Sequence, residues 1–205
     1  MGDNLSHASL ILLVEGGGDA SALNELFTFS SPSLAGALST GVLAIESLSG
    51  SSNLTPRLDA LRGQLCQYHV LVDDDVAGRQ SVARARGEGL IAPHEENLII
   101  VTGQRESELE DAYNPAVYKA AVLSNFGVDL DVKEFKNGKL KWSDRVEASF
   151  RSQGKNWDDR VKLAVKMAVG SQVSLNPGGA LHPQRATSVV ALMAELERRL
   201  AGIDT

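Results

Sequence analysis

The chain has 205 residues, a formal net charge of −6 and 43% hydrophobic residues, enough for one medium domain or two small ones with an ordinary core. No apolar run approaches a membrane span, and MGDNLSHAS at the start lacks the basic and hydrophobic regions of a signal peptide. A single cysteine, Cys66, excludes an internal disulfide framework and a cysteine zinc site, and His7, His69, His94 and His182 show no ligand spacing, so a cytoplasmic protein with no membrane partner is expected.

The first half alternates strand and helix signals. Leu10–Val14 is a short, fully apolar run that ends on Glu15 and reads as a buried strand. Ala20–Phe29 has Ala22, Leu23, Leu26 and Phe27 at helical spacing, with Asp19 in position to cap it. Ser30–Gly41 reads as a Ser/Pro/Gly connection and Val42–Ile45 as a second strand. Leu54–Leu65 reads as a helix capped by Asn53 or Thr55, with Pro56 in its first turn. Val70–Val72 is a third strand, ending on Asp73-Asp74-Asp75. Ala77–Leu90 is a basic amphipathic helix and Asn97–Thr102 a fourth strand. Strands separated by helices imply an α/β fold with a parallel sheet and right-handed crossovers.

In Gln104–Tyr113, the spacing of Ser107 and Glu110 predicts a capping box and a helix start. Pro115–Phe126 then reads as a helix, and Val132–Trp142, with Asn137-Gly138, as a small hairpin. Asp144–Ser152 and Trp157–Val169 read as helices. In the second of these, Val161, Ala164, Val165 and Ala168 are expected to face the core, and Asp158–Lys162 forms an i,i+4 pair. Leu175–Pro183 is a loop. Thr187–Ala201 is a final helix with Val190, Leu192, Met193, Leu196 and Leu200 as its core face.

Parallel strands that stop at Glu15 and at Asp73 bring these acids to one carboxyl edge of the sheet, where open α/β sheets bind ligands. Asp73 and Asp75, two apart, share a face that Asp74 does not. Like charges about 4 Å apart repel by roughly 4 kcal/mol at an effective dielectric near 20. A cluster of Glu15, Asp19, Asp73 and Asp75 therefore calls for a cation, and all-oxygen donors suit magnesium or manganese. The same residues also have plain structural readings, as solvated loop tips, as a helix cap for Asp19, or as dipole partners for Glu108, Glu110 and Asp111.

Val14-Glu15-Gly16 after a first strand, then Asp73-x-Asp75-x-x-Gly78 after a later one, resembles the two motifs of the TOPRIM domain over about residues 8–113. That domain is shared by topoisomerases, primases and the overcoming-lysogenization-defect (OLD) nucleases. Glu108-Leu109-Glu110-Asp111 resembles the acidic segment that supplies a further metal ligand in OLD proteins, with Glu108 and Glu110 equally eligible. The OLD resemblance implies a TOPRIM (Rossmann-like) catalytic domain at 8–113 and a mostly helical appended subdomain at 114–205. It implies a Mg²⁺- or Mn²⁺-dependent DNA endonuclease with two metal ions held by Glu15, Asp19, Asp73, Asp75, Glu108 and Glu110. It also implies a catalytic lysine, with Lys162 as candidate and Lys155 and Arg160 as alternatives. OLD proteins carry an ATPase region before TOPRIM. No Walker motif, and so no ATP site, occurs here, and the expectation is a C-terminal region whose ATPase part, and any homodimer formed through it, lie outside this chain.

Charge is distributed unevenly. Residues 132–166 hold ten basic and five acidic side chains, about +5; the rest after 166 is neutral, so the first 131 carry about −11. An acidic metal site beside a basic band suits a polyanion such as DNA, although a solvated helical face explains the band equally. The alternatives to a nuclease are a TOPRIM module that binds nucleic acid without cutting, or another TOPRIM enzyme acting on RNA or in priming. Topoisomerase activity is not expected, because it needs a strand-holding tyrosine domain for which this length leaves no room.

Overall fold

The computed structural model describes residues 8–64 and 66–203. His7, most of the N-terminal segment read above and the Leu65 end of the third predicted helix lie outside them. Strands β1 (Leu10–Val14), β2 (Leu43–Ser47), β3 (Gln67–Asp73) and β4 (Glu96–Ile99) form one all-parallel sheet in the order β2-β1-β3-β4. The described residues also form α1 (Gly17–Ser30), α2 (Pro32–Thr40), α3 (Leu54–Leu61) and α4 (Val76–Gly87). After the sheet come α5 (Pro115–Phe126), α6 (Trp142–Ser152), α7 (Asp159–Leu175) and α8 (Thr187–Ile203). No helix among the described residues is long and apolar enough to cross a membrane.

The unbroken apolar run of β1 is explained by burial on both faces. Leu10, Leu12 and Val14 join Leu71 and Ile99 in a core with α1, α2 and α5–α8. Ile11 and Leu13 point the other way and join Val70 and Val72 under α3 and α4. The result is a Rossmann-like α/β architecture with helices on both faces. Because β1 lies between β2 and β3, the chain leaves it toward one neighbour and later returns to the other side. The crevice at the carboxyl ends of β1 and β3 is the topological switch point of the sheet.

Several local expectations are corrected. Residues 32–40 are a helix, not an open connection: the Ser31 hydroxyl accepts the Leu34 N–H, Pro32 takes the first turn, and Gly41 ends the helix with φ 75°. Serine-proline followed nine residues later by glycine is a helix start and stop, and Leu34 buries against the core. Asn53 does sit at the N-cap of α3, but its side chain turns back to donate to the Leu48 carbonyl, 2.8 Å away. β4 ends at Ile99 rather than Thr102. The Asn137-Gly138 hairpin does not form, and residues 132–140 are successive turns held by bonds such as Lys136 N–H to the Val132 carbonyl.

The helix faces are also shifted. In α7 the buried positions are Val165, Val169, Gly170 and Val173, with Ala164 exposed and Val161 and Ala168 half-buried. In α8, Val189 takes the core position expected of Val190, which is 55% exposed. Each stripe is rotated by about one residue, which apolar spacing alone resolves poorly when alanines and valines populate both edges.

Candidate active site

Glu15 directly follows β1, and its Oε1 accepts the backbone N–H of Asp73 at 3.1 Å, tying the ends of the two central strands together. Asp73 ends β3; its Oδ1 accepts the Leu109 N–H at 2.9 Å and its Oδ2 lies 3.8 Å from Lys166 Nζ. Asp19 is not the N-cap of α1. It stands in the third helical position and reaches back to accept the Gly16 N–H at 2.9 Å. Glu15, Asp19 and Asp73 line a small hollow of about 10 Å³, roughly one water, together with Leu71, Ile99 and Leu109.

Asp75 is the N-cap of α4: its Oδ1 accepts the Gly78 N–H at 2.8 Å and its Oδ2 lies 3.3 Å from Lys141. Asp74 points away, as its odd position requires, and pairs with Arg79 at 2.7 Å. The glycine of Asp-x-Asp-x-x-Gly has a steric reason. A Cβ on Gly78 would come within 2.2 Å of the Asp73 carbonyl oxygen. Gly78→Ala is therefore expected to push α4 off the end of β3. We expect a loss of about 2–3 kcal/mol, or roughly 4–12 °C in melting temperature, together with displacement of both acids. Calorimetry of the variant with an unchanged melting temperature would contradict this packing.

The third acidic segment is extended where a helix start was expected. Ser107 forms a bridge to Asp74, its hydroxyl donates to the Ile99 carbonyl at 2.8 Å, and the only helix is a 3₁₀ turn, Leu109–Ala112, capped one residue later by Glu108 and Asp111. Glu106 and Glu108 flank the bridged Ser107 and so share a side, while Glu110 is placed by the 3₁₀ turn. Glu106, which sequence reasoning missed, lies 3.7 Å from Lys141. Both Glu108 oxygens accept from Ser143, one from the backbone N–H and one from the hydroxyl, each at 2.8 Å. Glu110 Oε2 is buried without a hydrogen bond and has only the Lys166 ammonium beside it, at 3.0 Å and poorly aligned. Of the two glutamates, Glu110 is the one with an uncommitted oxygen. Asp111 serves the scaffold: it accepts the Glu108 and Trp142 N–H groups and pairs with buried Arg145.

Three lysines enter this cluster. Lys141 lies 3.3–3.7 Å from Asp75, Glu106 and Glu108, and its side chain is only 15% exposed, so it is no free member of a surface band. Lys162 lies 3.6 Å from Glu108 with a 36% exposed side chain. The expected partner Asp158 instead caps α7, accepting the Val161 N–H at 2.9 Å. Lys166, a turn further on, is the central cation, and sequence reasoning missed it. Its signal was there: two lysines four apart on one helix, the second at the edge of the apolar stripe. Close packing brings it down, because a Cβ on Gly170 would come within 3.1 Å of the Gly18 carbonyl, so α7 lies directly on the first turn of α1. Lys155 and Arg160 are exposed and form no ion pair to these acids among the described residues.

The electrostatics follow from crowding and burial. Burial raises Glu15, Asp19 and, most strongly, Asp73, with Lys166 opposing it and neighbouring carboxylates adding to it. Burial pushes Glu110 up to about 7. Burial would also raise Asp75 and Glu108, but the Gly78 N–H and Lys141 hold Asp75 below its usual range, and Lys166, Lys162 and Lys141 do the same for Glu108. The many carboxylates hold Lys166 well above the ordinary lysine range despite its burial. Seven carboxylates, from Glu15 to Glu110, face three ammonium groups, a formal excess of four negative charges and equal to two divalent cations. The donors are all oxygens, which fits a hard dication. As positioned, no three of these groups among the described residues close into a metal cage.

A pH dependence follows. Glu110 binds its proton more tightly folded than unfolded, so its contribution is full below the unfolded value of about 4.3 and is lost as pH rises through about 7. Asp73, Glu15 and Asp19 act in the same direction, whereas Asp75 and Glu108, held low, lose their contribution only as pH falls through the acid range. In chelator, the melting temperature is expected to drop between about pH 5 and about pH 8, and Mg²⁺ or Mn²⁺ to restore more of it at the higher pH. A flat profile with no cation effect would contradict this charge arrangement.

The chain matches no protein-family model, and no curated protein matches it.

Proposed function

We propose that this chain is the catalytic TOPRIM region of an OLD-type, divalent-metal-dependent endonuclease that cuts DNA phosphodiesters in the cytoplasm. The observation that carries the reading is the convergence of Glu15, Asp19 and Asp73 on one water-sized hollow at the switch point of the sheet, with Asp75 and Glu110 beside it. Glu15, Asp19, Asp73, Asp75 and Glu110 would hold two Mg²⁺ or Mn²⁺ ions, with Glu108 as a further charge. Bound there, such ions supply an activated water and neutralise the leaving oxygen. The chain's own residues do the rest. Lys166 opposes the neutralisation of the buried acids and holds them close together. Lys162, the most exposed of the three lysines, meets a non-bridging phosphate oxygen and stabilises the charge that develops on it. Glu15 fixes the end of β3 through the Asp73 N–H, so the two motifs move as one.

The test is incubation with supercoiled plasmid and Mg²⁺ or Mn²⁺. Nicked or linear product that EDTA abolishes supports the reading. A gel shift with intact plasmid favours a second reading, a docking module that binds DNA without cutting. What favours that module is the set of three lysines already seated among the carboxylates. In either case binding should be salt-sensitive, with a log–log slope of about −0.9 per neutralised phosphate. Lys139 and Lys155 are exposed and carry no ion pair among the described residues, unlike Lys141. Replacing both with alanine is expected to make the slope shallower by up to about two units. Affinity unchanged between low and moderate salt would mean that the basic band is only a solvated surface.

A further inference from the structure

A second cavity, of about 290 Å³, opens between α5, α6 and the segment after α7, behind the Glu110 wall of the acidic site. The notable feature is what its lining leaves unpaired. Tyr113 is 2% exposed and its hydroxyl has no hydrogen-bond partner. Arg145 is 4% exposed, with its two terminal nitrogens committed to the Phe135 carbonyl and Asp111 and its Nε–H left without a partner. Buried polar groups without partners are rare and costly, and two such donors on one cavity, beside the unbonded Glu110 Oε2, point to a ligand.

The cavity's acids, by contrast, each have a cation beside them, although Glu110 Oε2 has no hydrogen bond. Asp111 is paired with Arg145, Asp131 with Lys119 at 2.8 Å, and Glu110 with Lys166. His182 Nδ1 accepts the Gln184 N–H at 3.1 Å, which leaves Nε2 as the proton-bearing nitrogen of the neutral ring. The Arg185 guanidinium forms no ion pair among the described residues and lies against Gly138, where a Cβ would meet its Nη2 at 2.9 Å. Apart from Glu110 Oε2, whose neighbour is Lys166, the uncommitted groups are donors: Tyr113, Arg145, His182 and Arg185. Leu130 and Phe135 give the same cavity an apolar wall.

We propose that this cavity binds a phosphomonoester carried on a small organic body, of the size of a mononucleotide. Four donors, including one unpaired guanidinium, match the acceptor-only oxygens of a phosphate, for which arginine is the preferred partner. The volume is at the lower bound of ligand pockets. A free nucleotide and the phosphorylated end of a DNA strand present the same chemistry. The proposal does not depend on the nuclease reading, because Arg145, His182 and Arg185 stand outside the acidic cluster and only the Tyr113 phenol feels the charges of Asp19, Glu110 and Asp73.

Calorimetry on the whole chain in EDTA tests it, with deoxyadenosine monophosphate as probe and deoxyadenosine as its neutral control. The monophosphate is expected to bind and deoxyadenosine not to. Arg185→Ala and Tyr113→Phe should each weaken binding by about tenfold. Tyr113→Phe should leave the melting temperature unchanged or higher, because the lost hydroxyl had no partner. Asp73→Asn should bind the monophosphate as the unmodified chain does, which separates this cavity from the acidic site. A 5′-phosphorylated oligonucleotide that binds more tightly than the monophosphate would identify a strand end as the source; weaker binding would identify the free nucleotide. No binding up to millimolar monophosphate, equal binding of deoxyadenosine, or full affinity in both variants would overturn the proposal.

Discussion

Asp73→Asn is expected to lower DNA cleavage by about a thousandfold or more while leaving the protein folded. Asparagine keeps an oxygen for the Leu109 N–H, so the loop above β3 retains its anchor. What it removes is the charge that burial, with Glu15 and Glu110 opposite it, makes hardest to sustain. Folding therefore loses little, and the melting temperature in chelator at about pH 8 should rise slightly while the cation effect shrinks. Asp73→Ala is a poorer probe, since it strands a buried N–H at a cost of about 1–3 kcal/mol. Glu15→Gln should behave like Asp73→Asn, because one amide oxygen can still accept the Asp73 N–H. Near-normal nicking by either amide variant at saturating Mn²⁺ would remove these residues from the reaction.

The largest expected effect on stability belongs to Lys166→Met. Its ammonium lies 3.0 Å from Glu110 and 3.8 Å from Asp73, and its charge is also felt by Asp19, Glu15 and Glu108. Removing one partner of a buried ionic cluster typically costs about 3–5 kcal/mol. For a chain of this size that is roughly 6–20 °C in melting temperature. The loss should be greatest at about pH 8 in chelator. It should shrink toward about pH 5, where Glu110 is protonated, and shrink again when a divalent cation replaces the missing charge. Lys162→Ala is the contrast. Its side chain is partly exposed and, among the described residues, forms an ion pair with Glu108 alone, so stability should change by less than about 1 kcal/mol. If Lys162 acts on the phosphate in the transition state, turnover falls more than DNA affinity does. A Lys166→Met protein that melts like the unmodified chain at every pH would mean that the carboxylates are neutral or solvated, and that the lysine is not their counter-ion.

Much of the first half was legible because burial on both faces writes itself as unbroken apolar runs. Leu10–Val14 is the strand the pattern predicts, and Pro115–Phe126 is the predicted helix to the residue, bounded by a proline start and Gly127 with φ 65°. The acids that end β1 and β3 were legible for the same reason, since a buried strand that stops at a carboxylate leaves it at the sheet's edge. Even the division of Asp73 and Asp75 from Asp74 followed from the two-residue period of a strand.

What the tertiary structure alone decided lies where two local patterns compete or where contacts are distant in sequence. The spacing of Ser107 and Glu110 fits a capping box, yet the helical turn begins two residues later. The backbone bridge between Asp74 and Ser107 extends the chain there, which aligns Glu106 with Glu108, and the helical turn starts only at Leu109, where the Asp111 pairing with Arg145 holds it and sets the place of Glu110. Of the lysines, Lys162 was singled out through the OLD resemblance, whereas Lys141 and Lys166 entered only as part of a local net charge. Lys141 and Lys166 reach the acids because residues 132–141 turn back on themselves and because Gly170 lets α7 settle on Gly18. A sequence records that such charges exist; which of them meet depends on helix packing at a distance of many residues, where no local propensity speaks.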